Sequence, residues 1–191
     1  IVASEVGSKG INPNNSETLT LFGDAAAAII LSYDENGDSS FIKGAMKTYS
    51  EGIYHTIIKG GGNKYFFKDY PYDQELHSFK MNGKKLLKLA KKEMKVFTND
   101  FFEDLEYTME DVDVIIPHQT SKIGMSLFKK IYNLEDNEVM SNLSDHGNCI
   151  AASIPLLIHQ LIENKKIKRG NLCLLLGTSA GFSIGASLFR Y

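Results

Sequence analysis

Three short stretches carry the residue types from which an active centre could be assembled: Pro117-His118-Gln119, Gly147-Asn148, and the run from Gly177 to Phe182. The first two put a histidine and an amide on separate strand-to-helix loops. Two neutral side-chain N–H donors that converge on one point can hold a carbonyl oxygen as negative charge gathers on it. That is the chemistry of enolate or oxyanion formation. No nucleophile of matching quality stands beside them.

Each residue has a plainer reading. A lone histidine after a strand is more often structural than catalytic. His118, however, lies between a loop-starting proline and a helix beginning near Thr120 or Ser121, so its ring can face a pocket as the neutral imidazole. Asn148 taken alone reads as a helix N-cap; Gly147 before it permits close approach of backbone or ligand, and pairing with His118 favours the functional reading. Gly177-Thr178-Ser179-Ala180-Gly181-Phe182 is not a phosphate loop, because it lacks a Gly-Lys-Ser/Thr ending. As a tight turn it would expose backbone N–H groups that could complete an oxyanion hole. Cys149, at the first turn of a helix, would carry an acidified thiol, yet it directly follows Asn148 and so points elsewhere. Cys173 sits in an apolar strand and reads as core. Asp24, in the run Phe22 to Ala28, reads as a residue satisfying backbone donors at a bend before it reads as a base.

Alternating strand and helix patterns must position these groups. Ile1-Val2-Ala3-Ser4 reads as a buried strand, and Leu19–Phe22 and Ala28–Leu31 as strands around Gly23-Asp24. Phe41–Met46 and Ile53–Ile58 are further strand candidates, and 59–73 is a loop with Gly60-Gly61-Gly62 and five aromatics. From Met81 to Phe102 apolar residues recur at helical spacing. Val112–Ile116 is a strand closed by Pro117, followed by a helix with Ile123, Leu127, Phe128 and Ile131 on one face. Val139–Leu143 reads as a short strand. Ile150 to Asn164 is helical, interrupted by Pro155 with Ser153 as N-cap. Leu172–Leu176, a strand covered on both faces, and Ile184–Phe189 close the chain. The class is α/β, with a sheet between helical layers.

The 191 residues suit one domain, or one half of a two-lobed protein. A net charge of −2 argues against a dedicated nucleic-acid binder. Two cysteines make no disulfide framework and fit a reducing cytoplasm. The histidines show no metal-ligand spacing, no apolar run reaches membrane-span length, and no signal-peptide pattern is present. The chain starts without methionine, on an apolar strand, and is expected to begin inside a longer protein.

LFGDAAAAIIL (21–31), VDVIIPHQTSKIG (112–124), DHGNCIAASIP (145–155) and GTSAGFSIGASLFR (177–190) together resemble the C-terminal half of β-ketoacyl-acyl-carrier-protein synthase III. The resemblance implies a thiolase-like fold, one of two pseudo-repeated α/β halves, with residues 1–191 forming a single C-terminal domain. It implies a Cys-His-Asn triad in which His118 and Asn148 match the histidine and asparagine, the cysteine belonging to the preceding half. The reaction implied is a decarboxylative Claisen condensation of an acyl-CoA with malonyl-acyl carrier protein, without cofactor or metal. Ala180 is the backbone donor of the oxyanion hole in this reading, and Ser121 and Lys122 are substrate or carrier contacts, with Lys129-Lys130 as further carrier contacts. The implied partners are acyl carrier protein, acyl-CoA and a second subunit, with no nucleic acid and no membrane. Related synthases of polyketides, alkylquinolones or hydroxymethylglutaryl thioesters, and a non-catalytic subunit of the same fold, remain alternatives. Thr178-Ser179-Ala180 replaces part of the family's glycine-rich turn, and Thr120-Ser121-Lys122 its usual Ala-Asn.

Overall fold

The apolar stretches that the sequence spaces two by two meet in a four-stranded mixed sheet. A computed structural model describes residues 1–33, 35 and 37–191. In chain order its strands are β1 (Val2–Val6), β2 (Asp24–Ala28), β3 (Ser40–Thr48), β4 (Thr56–Ile57), β5 (Lys80–Met81), β6 (Val114–Pro117), β7 (Leu172–Ser179) and β8 (Ser183–Arg190). The helices are α1 (Ser16–Leu19), α2 (Gln74–His77), α3 (Gly83–Phe102), α4 (Lys122–Tyr132), α5 (Leu143–His146) and α6 (Ser153–Glu163).

The central sheet runs β3-β8-β7-β6, and only β6 and β7 are parallel. Because strand side chains alternate between faces, Leu172, Leu174 and Leu176 of β7 join Ile115 of β6 and Leu188 of β8 on one side. There they pack on Met94, Phe97 and Phe101 of α3 and Phe128 of α4. Val114, Ile116 and Cys173 face the other side, against Leu157 and Leu161 of α6. Both faces are therefore covered, which is why β6 and β7 read as continuous apolar runs. Burying each of these leucines is worth roughly 1.5–3 kcal/mol.

Local chemistry sets the helix starts. Asn82 caps α3 through Lys85 N, and Glu17 Oε1 accepts from Gly83 N at 3.0 Å. Ser121 caps α4 by accepting from Gly124 N at 3.0 Å, and the helix stops where Asn133 turns left-handed. Such caps contribute about 1 kcal/mol each and fix where the preceding loop ends.

Several expectations are corrected. Residues 16–19 are helical, because Asn15 Oδ1 accepts from Glu17 N and Thr18 N. The strand falls instead on Asp24–Ala28, paired antiparallel with Val2–Val6, and 29–33 has no regular structure. That ribbon is not buried: Ile1 and Val2 are 73% and 78% exposed, and only alternate residues face the molecule. Of 53–58 only Thr56–Ile57 is strand. Val139 makes a single parallel bridge to Ile115, after which the chain turns helical at Leu143. Ser153 is not a cap but the first residue of α6, following a 3-10 turn over Ile150–Ala152, and Pro155 sits in the first helical turn where its missing N–H costs nothing. Gly177–Ser179 belongs to β7, paired with Ser183–Gly185, so the turn shrinks to Ala180–Phe182. Ile123, expected on the inner face of α4, is 68% exposed.

Candidate active site

The parallel register of β6 and β7 sets Pro117 opposite Leu176, and His118 N extends the ladder to Leu176 O at 2.9 Å. The His118 side chain then lies over Gly177. A Cβ added at Gly177 would stand 3.2 Å from His118 Cβ, so any side chain there would press on the base of the His118 side chain. Burial pushes the His118 pKa down to about 4 from its ordinary 6.5. The imidazole is therefore neutral at physiological pH and can donate from one ring nitrogen.

Asn148 is held from two sides. Its backbone N–H donates to Leu21 O at 2.9 Å, and its carbonyl accepts from Gly23 N at 3.1 Å, a short parallel bridge to the Phe22 segment. Both glycines beside this bridge are required. Gly147 has φ of +67°, and a Cβ on Gly23 would fall 1.8 Å from His146 O. The side chain is fixed as well. Oδ1 accepts from Ile150 N at 2.9 Å, and Nδ2 donates to Thr120 O at 3.1 Å, two residues beyond His118. Asn148 is therefore not a helix cap, since Cys149 and Ala152 hold the cap positions of the 3-10 turn and of α6; its oxygen closes a local turn on Ile150 N, leaving the second N–H of Nδ2 to spare. Ile150 itself turns left-handed, at φ of +50°, a conformation that costs a β-branched residue of order 1–3 kcal/mol.

His118 and Asn148 both line one cavity of about 910 Å³. Ala180 and Ser121 line it too, the first on the β7–β8 turn and the second as the α4 cap. Apolar side chains including Leu86, Leu87, Met94, Phe128 and Leu175 form much of its wall. Lys122 is exposed at the start of α4 and is not among the lining residues. Lys129 is paired with Asp136, whereas Lys130 is exposed.

The remaining candidates resolve by geometry. Cys149 is 1% exposed, its Sγ set against His146 O at 3.2 Å. Burial, and then the Asp24 carboxylate, push its thiol pKa up, the reverse of the acidification expected at a helix start. Burial, and then Asp113, push Cys173 up to about 11. Asp24 accepts from Ser8 N and Ser8 Oγ at 2.8 and 2.6 Å, which ties the turn after β1 to β2. Gly23 was not singled out as a functional position; a glycine opening a strand pattern is the signal of close backbone approach that would have found it. Gln119, next to His118, is completely buried.

Comparison with known proteins bears on the family and the fold. Residues 102–191 match the family model described as 3-oxoacyl-[acyl-carrier-protein] synthase III C terminal, and residues 1–50 match the model described as 3-oxoacyl-[acyl-carrier-protein] synthase III. The chain belongs to this family. It is 31% identical over 197 residues to the β-ketoacyl-acyl-carrier-protein synthase III of Neisseria gonorrhoeae (strain NCCP11945), and 29% identical over 191 residues to that of Aquifex aeolicus (strain VF5). In both cases all of this chain is covered but only 57% of the relative, so the chain spans little more than half the length of the synthases it matches. The solved synthase III from Aquifex aeolicus VF5 superposes with a TM-score of 0.84 at 26% identity, over 100% of this chain and 56% of that one. The Thermus thermophilus synthase III superposes with a TM-score of 0.82 at 25% identity, over 100% and 58%. The fold is the thiolase-like fold of these synthases. No described helix is long and apolar enough to cross a membrane.

Proposed function

We propose that this chain is the C-terminal part of a 3-oxoacyl-acyl-carrier-protein synthase III of fatty-acid biosynthesis, and that it supplies the histidine and asparagine of a decarboxylative Claisen condensation. The observation that carries this is the shared cavity. His118 and Asn148 both face it, and the Asn148 amide is tethered to the loop that bears His118, with one N–H left over.

In this reading a cysteine thiolate from outside these residues takes an acyl group from acyl-CoA, and the CoA thiolate leaves. Malonyl-acyl carrier protein then enters with its thioester oxygen between the His118 N–H and the free Asn148 N–H. The bond to the carboxylate breaks, carbon dioxide departs, and the electron pair moves into the enolate whose oxygen the two donors hold. The enolate carbon attacks the acyl thioester, a carbon–carbon bond forms, and the cysteine leaves as thiolate. Both donors stay neutral, so the site gains most when charge develops on the oxygen. The Ala180 N–H is the proposed donor to the acyl oxygen, at the turn where β7 and β8 meet. Neither Cys149 nor Cys173 can replace the missing nucleophile, since burial keeps each thiol protonated.

Acyl carrier protein, an acidic partner, is proposed to approach over the exposed Lys122 and Lys130 of α4. Lys129 is already engaged by Asp136. The complete enzyme is proposed to be a homodimer working in a reducing cytoplasm, where buried free thiols such as Cys149 and Cys173 persist.

The test is direct. Incubated alone with malonyl and acyl thioesters, the 191 residues should form no ketoacyl product, and the longer protein that contains them should form it. Product at enzyme-like rates from the short chain, or none from the longer protein, would contradict the assignment.

A further inference from the structure

A chain of amides whose members do not line the cavity joins the two donor loops. Gln119 is fully buried, and all four of its hydrogen-bonding positions are used. Its Nε2 donates to Pro117 O at 2.9 Å and to Met140 O at 3.2 Å, and its Oε1 accepts from Ser141 Oγ at 2.7 Å and from Asn142 N at 3.2 Å. The Asn142 amide, itself buried, donates through Nδ2 to Gln160 Oε1 at 2.6 Å. Gln160 Nε2 lies 2.8 Å from His146 Nε2. His146 is two residues before Asn148, and Asn148 Nδ2 closes the ring by donating to Thr120 O. Gln119, Asn142, Gln160 and His146 are not among the residues that line the cavity; only the closing link, between Asn148 and Thr120, lies at its wall.

We propose that the Gln119–Asn142–Gln160–His146 chain is a positioning device that holds the His118 loop and the Asn148 loop at the separation one thioester oxygen requires. This rests on the condensing-enzyme reading, and it assigns work to residues that neither line the cavity together nor react. With Asn142 Nδ2 donating to Gln160 Oε1, the NH2 end of Gln160 faces His146, and in this arrangement His146 accepts through Nε2 and carries its proton on Nδ1. Gln119 and Asn142 are buried and Gln160 and His146 half-buried; linked polar groups of this kind stiffen one another, and cutting one member leaves its neighbours unpaired. Misplacing a positioned group by about 1 Å costs on the order of a hundredfold in rate.

The experiment uses the full-length protein that carries this chain and two substitutions at one half-buried position. Gln160→Met keeps the length but breaks both links; it should lower kcat for malonyl-thioester decarboxylation by about ten- to a hundredfold, with KM changed less than about threefold. Gln160→Glu can still accept from Asn142 and can accept from an Nε2-protonated imidazole, so it should recover kcat to within about threefold of wild type. Imidazole 15N spectra give an independent readout. Wild-type His146 should show the Nδ1–H tautomer, and the Gln160→Glu protein the Nε2–H form. Unchanged kcat in Gln160→Met, equal losses in both variants, or an Nε2–H tautomer in the wild type would each overturn the proposal. An inactive wild type would count against the condensing-enzyme assignment, while the nitrogen spectra would still decide the geometry of the chain.

Discussion

The two loops that meet at the cavity hold their donors in opposite ways. The His118 loop fixes its residue through one backbone hydrogen bond to β7 and through packing over Gly177, while burial keeps the ring neutral. The Asn148 loop fixes backbone and side chain alike, with two bridge bonds to the Leu21–Gly23 segment, two side-chain hydrogen bonds, and a left-handed Ile150. The difference follows from the chemistry each group can offer. An imidazole must be neutral to spare a lone pair and a proton, so its surroundings matter more than its hydrogen bonds. A carboxamide never titrates, but it rotates, so it has to be pinned by both ends.

The largest effect should separate catalysis from stability. His118→Ala and Asn148→Ala should each slow malonyl-thioester decarboxylation by about a hundred- to a thousandfold. Only Asn148→Ala should also lower thermal stability clearly, because it strands Ile150 N and Thr120 O. Equal melting temperatures in the two variants would erase the contrast between the loops. Next comes Gly23→Ala, whose methyl group would meet His146 O. It should cost at least about 2–3 kcal/mol in denaturant unfolding and reduce kcat through Asn148, as overpacking at a close backbone contact does. A neutral outcome would mean that the bridge to Asn148 is loose.

The third prediction concerns protons. Because the folded-state pKa of His118, about 4, lies below the ordinary 6.5, the unfolded chain binds the extra proton between those values. The stability tied to the neutral ring is complete above about pH 6.5 and is lost as pH falls toward 4. An NMR titration should find the His118 midpoint near 4; a midpoint near 6.5 would show the ring open to water. Smallest is Ile150→Gly. Relief of left-handed strain, about 1 kcal/mol, should nearly offset the lost side-chain packing, leaving the melting temperature within a few degrees. A large drop would show that the packing of the Ile150 side chain outweighs the strain of its left-handed backbone.

The reading of the sequence reached the elements whose order is local. α3 and α4 carry their apolar spacing and their Asn82 and Ser121 caps within one stretch, β6 and β7 are runs that only a covered sheet tolerates, and β8 alternates. His118 and Asn148 could be singled out for a related reason, since one directly follows an apolar strand and the other a glycine turn, and both line the same cavity. What stayed hidden depends on partners distant in sequence. Asp24–Ala28, poor in β-formers, is a strand only because Val2–Val6 lies beside it, and residues 16–19 became helical through the Asn15 side chain. The amide chain through Gln119 was invisible because periodicity registers apolar faces and gives a buried glutamine no signature. Ser153 misled for the same kind of reason. A 3-10 turn entered the helix ahead of it, so the cap position fell on Ala152.

The central claim is that the His118 imidazole and the Asn148 amide grip one thioester oxygen. The most direct measurement is the carbonyl stretching frequency of a non-decarboxylating malonyl-thioester analogue bound to the full-length protein. The wild type should shift the band to lower frequency than in water, His118→Ala and Asn148→Ala should each reverse part of that shift, and the double variant should abolish it. A band that ignores either substitution while the analogue still binds would contradict the account.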